Sequence, residues 1–127
     1  MGKHPRPLAA SDDHLRDYVL KKGELTLNAS SSMKFANPGA TPSISADGTR
    51  NAIVWAISTK PWNGPDNKPA VLYAFDATHL DQPIYTSEQN SQRDRAALAT
   101  RFVFPVVING RVYFAIRGEV EVYGLMK

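Results

Sequence analysis

The sequence predicts an all-β chain built from four-stranded antiparallel up-and-down meanders, the unit of a β-propeller blade. Helical periodicity is nearly absent, whereas alternating or β-branched apolar runs recur about every ten residues. The runs also fall into groups. From Thr41 the order is strand, turn, strand, loop, strand, turn, strand; three further strands follow a connection at Arg93–Arg101, and two precede Thr41. A four-stranded meander recurring at about 40–45 residues is the spacing of propeller blades. The predicted organisation is a flexible tail over residues 1–12, a hairpin over 13–32, a full blade over 41–90 and a final three-stranded blade over 101–125, about two blades in all.

The hairpin joins "LRDYVL" (Leu15–Leu20) to "ELTLNA" (Glu24–Ala29) through a turn at Gly23. "SSSMKFANPGATP" reads as a polar loop. "SIS" (Ser43–Ser45) is a short strand, and Asp47-Gly48 is a strong turn signal. "AIVWAIS" (Ala52–Ser58) has no polar alternation, so it predicts a strand buried on both faces. The Pro-, Gly- and Asn-rich segment Thr59–Pro69 is loop. "AVLYAFD" (Ala70–Asp76) and "PIYTSE" (Pro83–Glu88) complete the blade, with Pro83 at a strand start where a missing N–H is tolerated. "QNSQRDRAALATR" predicts the one helical turn, capped by Ser91 and favoured by Ala96, Ala97, Leu98 and Ala99. "FVFPVVI", "RVYFAIR" and "EVEVYGL" are the last three strands, joined at Asn109-Gly110 and Gly118-Glu119. The expected core is Val54, Trp55, Ile57, Val71, Tyr73, Val106, Val112, Tyr113 and Val122.

Composition narrows the chemistry. Hydrophobic residues make up 43% of the 127 residues, enough for one core. The net charge of +3 is carried by scattered Lys and Arg, which argues against a nucleic-acid partner. There is no Cys, so disulfides, thiolate metal sites and Cys nucleophiles are excluded. No run approaches the ~18 apolar residues of a membrane helix, and the basic N-terminus lacks the apolar segment of a signal peptide. As written, the chain is expected in the cytoplasm and off the membrane.

The stretch "AVLYAFDATHLDQPIY" (Ala70–Tyr85) sets an Asp between two apolar runs. An Asp directly after a strand can accept hydrogen bonds from N–H groups two and three residues on, which closes a turn. An aromatic residue seven to nine positions later can lie over a neighbouring blade. Asp76 and Tyr85 are therefore expected to be structural: a turn and its docking aromatic.

On these residues the chain resembles the blade-docking repeat of eight-bladed quinoprotein-type propellers, Ala-x-Asp-Ala-x-x-Gly-x-x-x-Trp give or take a residue, with Ala74, Asp76 and Ala77 in place, Tyr85 for the Trp and the Gly missing. The flanking "SISADGTRNAIVWAIS" and the closing "FVFPVVINGRVYFAIRGEVEVYGL" extend the resemblance to bacterial pyrroloquinoline-quinone-like propellers over roughly Asp13–Leu125. It implies the fold. Members that are dehydrogenases hold the quinone with calcium, and the family is often exported. None of the quinone, calcium or catalytic residues maps onto a position here, so no catalytic residue, cofactor or metal ligand is assigned.

The functional expectation is a non-catalytic propeller module for binding or assembly, closing a ring as a homo-oligomer. The alternative is a fragment of a quinoprotein-type dehydrogenase using pyrroloquinoline quinone with calcium, its active site in other blades or at a subunit junction. Two blades fall short of the four to eight that close a propeller. A piece of a longer protein, a gene remnant and a self-closing subunit all fit that shortfall. Candidate ligand or interface positions are Trp62, Asn63 and Asn67 in the Pro/Gly-rich loop, where an exposed Trp can stack on a glycan or another planar small molecule, and Arg93, Asp94 and Arg101 in the inter-blade connection.

Overall fold

The computed structural model describes residues 11–59 and 68–124. Among them the chain is all-β, with nine strands in three antiparallel sheets. Strands β1 (Asp13–Lys21) and β2 (Glu24–Phe35) form a hairpin. Strands β3 (Ser43–Asp47), β4 (Arg50–Ser58), β5 (Val71–Asp76) and β6 (Tyr85–Thr86) form a four-stranded sheet in chain order. A single helical turn, α1 (Ser91–Asp94), leads to a three-stranded sheet of β7 (Val106–Ile108), β8 (Arg111–Ile116) and β9 (Glu119–Gly124).

Turn chemistry fixes two of the hairpins. Lys22 and Gly23 both have positive φ, as do Asn109 and Gly110. Pairing of Lys21 with Glu24 and of Ile108 with Arg111 leaves these two residues as the whole loop in each case. Positive φ at both central positions matches the right-handed twist of the flanking strands, which is why Asn-Gly is so strong a signal.

The four-stranded sheet is the middle layer. Side chains alternate along β4 and β5, and the register sets Val54 opposite Phe75, Trp55 opposite Ala74, Ala56 opposite Tyr73 and Ile57 opposite Leu72. Val54, Ala56, Tyr73 and Phe75 pack with Leu15 and Phe35 of the hairpin. Trp55, Ile57 and Leu72 turn the other way, onto Val112, Phe114 and Ile116 of the last sheet and onto Ala96 and Ala99 of the connection. The expectation that Ala52–Ser58 is covered on both faces holds for this reason. Ser32 N–H donates to the Asp81 carbonyl at 3.0 Å and ties the hairpin to the β5–β6 turn. The Ser43 hydroxyl donates to the Pro105 carbonyl and ties the middle layer to the last one.

Several boundaries differ from the sequence reading. Strand β2 runs on to Phe35, through what reads as loop, because Ser31 and Phe35 alternate into the core with Met33 packed against it. Strand β6 is only two residues long: the chain bends until Ile84, and Pro83 offers no N–H. Strand β7 starts at Val106 rather than Phe102, since Phe102 has positive φ and Pro105 lies just before the ladder. The predicted helix stops at Asp94, and the residue at its N-cap is Asn90, with no side-chain cap. Arg95 is extended, and the alanines that favour helix are used for their size: Ala96 and Ala99 are buried against the β-sheets. There the backbone pairs with the segment before β5, Ala70 N–H to Ala97 O at 3.1 Å and Ala99 N–H to Lys68 O at 3.0 Å.

Of the expected core, Val54, Ile57 and Val112 are buried, while Trp55, Val71, Tyr73 and Tyr113 are half-buried. Val106 and Val122 are exposed, because among the described residues no layer covers the outer face of the last sheet. Phe75 is fully buried, against Phe35 with ring centroids 6.5 Å apart and Tyr73 at 6.3 Å. Phe75→Ala should lower unfolding free energy by about 3–5 kcal/mol in urea titration, with faster amide exchange in β1 and β2. A loss below about 1 kcal/mol would mean that this cluster does not hold the hairpin.

Candidate functional site

Two tyrosines from different sheets meet at one aspartate. Tyr85, in β6, donates its hydroxyl hydrogen to Asp94 Oδ2 at 3.1 Å. Tyr123, in β9, donates to the Asp94 backbone carbonyl at 2.7 Å. Arg93 donates from Nη2 to Oδ2 at 2.5 Å and from Nε to Oδ1, the fork geometry of a guanidinium on a carboxylate. Asp94 ends the helical turn, so the bend of the chain there aims its carboxylate at Tyr85 and its carbonyl at Tyr123. Next to it, Glu121 Oε1 accepts the Ala97 N–H at 2.9 Å. These bonds latch the middle sheet, the connection and the last sheet together.

The latch closes one end of a cleft of about 1080 Å³ between those two sheets. Trp55, Ile44 and Ile53 line it from the middle sheet, Val107 and Tyr123 from the last one. Trp55 spends its indole N–H on Ser45 Oγ at 2.8 Å, so it presents an apolar ring to the cleft. Arg95 and Gln89 lie at the polar end with Arg93 and Asp94.

Environment tunes the ionisable groups. Burial, then the hydrogen bond to Asp94, pushes the Tyr85 phenol up to about 12. Burial also raises Tyr123. The Arg93 guanidinium holds the Asp94 carboxyl below its ordinary value, with Tyr85 assisting. Both phenols therefore stay protonated donors, and Asp94 an anionic acceptor, across the neutral range.

Asp76 lies outside the cleft. Its Oδ1 accepts from the Thr78 N–H at 2.8 Å and the Thr78 hydroxyl at 2.6 Å, closing the turn after β5. These bonds, the side-chain one first, lower its carboxyl. His79 bonds Thr78 Oγ1 through Nδ1 at 2.8 Å in the same turn.

The structure thus brings Arg93, Asp94 and Tyr85 together. It does not bring Arg101 to them: Arg101 stands over the Phe102 ring, 5.3 Å from its centroid, and is not among the cleft residues. Trp62, Asn63 and Asn67 lie outside the described residues. Sequence reasoning missed Tyr123 and Glu121. The available signal was the alternation in "EVEVYG", which sets Glu121 and Tyr123 on one face of β9 and Val120 and Val122 on the other. No helix among the described residues is long and apolar enough to cross a membrane. Comparison with family models, with curated proteins and with solved structures found no match to this chain.

Two outcomes follow. Because folding raises the Tyr85 phenol from 10.0 to about 12, its contribution is whole below pH 10 and is lost as pH rises through about 12. Absorbance titration of tyrosinate should show late-ionising phenols, and Tyr85→Phe should remove one of them while Tyr73 and Tyr123 remain raised. For Asp76 the sign is opposite. Its folded value is depressed below 3.8, so its contribution is present above about pH 4 and is lost as pH falls through the depressed value. Asp76→Ala should cost about 1 kcal/mol at pH 7, with the difference from wild type shrinking as acid protonates the wild-type carboxylate.

Proposed function

We propose that this chain is a non-catalytic β-propeller module of the quinoprotein-like type, about two blades long, whose work is assembly. Copies stack head to tail through their outer faces into a closed ring. One observation carries this reading: the three-layer stack ends in an apolar face on both sides.

On the hairpin, Leu20 pairs with Leu25 and Tyr18 with Leu27, on the face opposite buried Leu15 and Asp17. Leu25 is 55% exposed and Leu27 53%. On the last sheet, Val106 pairs with Tyr113, Tyr113 with Val122 and Ala115 with Val120, so these five share a face. Val120 is 64% exposed, and Phe102 and Phe104 are exposed nearby. Contiguous apolar faces of this kind mark interaction surfaces. Burying each such side chain contributes about 1.5–3 kcal/mol.

The propeller reading draws support from the chain-order meanders, their face-to-face packing, and Tyr85, nine residues after Asp76, reaching the connection to the next layer. The two outer faces differ from each other, so contact between copies is heterologous and forms a ring if its rotation closes. Three copies bring about six blades and four about eight.

Sedimentation of the full chain tests the proposal. The expected species is three or four times 14.0 kDa. Leu25→Lys with Leu27→Lys on the hairpin should reduce it to a folded monomer. A wild-type monomer at tens of micromolar, or an oligomer that survives both substitutions, overturns the proposal.

A further inference from the structure

We infer that the cleft between the middle and last sheets is a binding site for a neutral oligosaccharide, with Trp55, Tyr85 and Tyr123 as its aromatic walls and the Arg93–Asp94 pair as its polar anchor. The cleft lies within one chain, so this inference goes beyond the assembly reading and stands or falls apart from it.

The walls come first. Three aromatic side chains from two sheets line one cleft. Each has its polar atom engaged by the protein: Trp55 Nε1 on Ser45, Tyr85 on the Asp94 carboxylate, Tyr123 on the Asp94 carbonyl. What they offer a ligand is ring surface held in place. Aromatic surface of this kind suits the C–H faces of a sugar ring, which are apolar patches on an otherwise hydroxylated molecule.

The anchor decides against an ion. Arg93 is forked onto Asp94, and Arg95 is paired with Glu88 at 3.3 Å. A bare anion or cation entering here breaks a pair. A hydroxyl does not, since it donates and accepts at once. The Asp94 carboxylate is fixed by Tyr85 on Oδ2 and by Arg93 on both oxygens, so it meets a ligand hydroxyl as an oriented acceptor. Arg95, half exposed, also lines the cleft and supplies N–H donors. Donor and acceptor groups lining a cleft with aromatic walls match the hydroxyls of a sugar ring.

Size sets the class. At about 1080 Å³ the cleft exceeds the usual small-molecule pocket of roughly 300–1,000 Å³, which suits a short oligosaccharide better than a single ring.

Saturation-transfer NMR on the full chain, with neutral trisaccharides of glucose, galactose, mannose and N-acetylglucosamine, tests the inference; trigalacturonate and the glucosamine trimer serve as charged comparators. We expect one neutral trisaccharide to bind with a Kd near or below about 1 mM, and to lose about tenfold or more in Asp94→Ala. Leu25→Lys, on the hairpin's outer face, should leave binding unchanged whatever it does to assembly. Should Asp94→Ala not fold, amide and indole shift mapping on the wild-type chain decides: shifts must centre on Trp55 Nε1–H, Tyr85 and Tyr123. No binding by any neutral trisaccharide at about ten times that concentration, tighter binding of a charged comparator, an unaffected Asp94→Ala, or shifts centred elsewhere each overturn the inference.

Discussion

The β4–β5 pair is the constraint on which the other layers depend. Its side chains have two destinations, the hairpin on one side and the last sheet on the other, and both are apolar. A half-solvated pair needs polar residues at every second position; this one cannot use them. The cross-strand partners also balance volume. Trp55 faces Ala74, Tyr73 faces Ala56, and Phe75 faces Val54. Each large ring lies across from a smaller side chain, so the pair offers both neighbouring layers a surface of balanced volume.

That two-sidedness explains what the sequence makes legible. An unbroken, β-branched apolar run flanked by Asp47-Gly48 and a Pro-rich stretch reads as a strand buried on both faces. Lys22-Gly23 and Asn109-Gly110 set turns whose conformation is local, so they read correctly without tertiary information. The errors fall where packing overrides local preference. The helix-favouring residues at Ala96–Ala99 leave the helix and pair with the segment before β5, where Ala96 and Ala99 are small enough to pack beside Ile57 and Leu72. Ser31–Phe35 looks polar, yet only alternate residues must be apolar in a strand, and Phe35 supplies the large buried one.

The site divides the same way. Arg93–Asp94 is a neighbouring pair, and Asp76 with Tyr85 is a spacing, so each is visible in one dimension. Tyr123 and Glu121 enter only because β9 folds back over the connection, a contact spanning 29 residues for Tyr123. Trp55 belongs to both readings: it packs against the core and lines the cleft. Among the described residues every buried side-chain nitrogen or oxygen has a partner, so the latch is a satisfied network and incurs no desolvation cost for an orphan group.

Strand β9 carries two surfaces at once, and its register keeps them apart. Alternation sends Glu121 and Tyr123 toward the latch and Val120 and Val122 outward. The tight β8–β9 turn at Gly118, where φ is positive and Ile116 pairs with Glu119, sets that phase. A slip by one residue exchanges the two sets. It removes the Tyr123 hydroxyl from Asp94, brings two valines against the arginine–aspartate pair, and puts a carboxylate on the apolar outer face. The wrong register is thus penalised on both sides of the strand, so the latch and the outer face specify the same pairing. Two unrelated demands, polar satisfaction within and an apolar surface without, select one placement of the last strand.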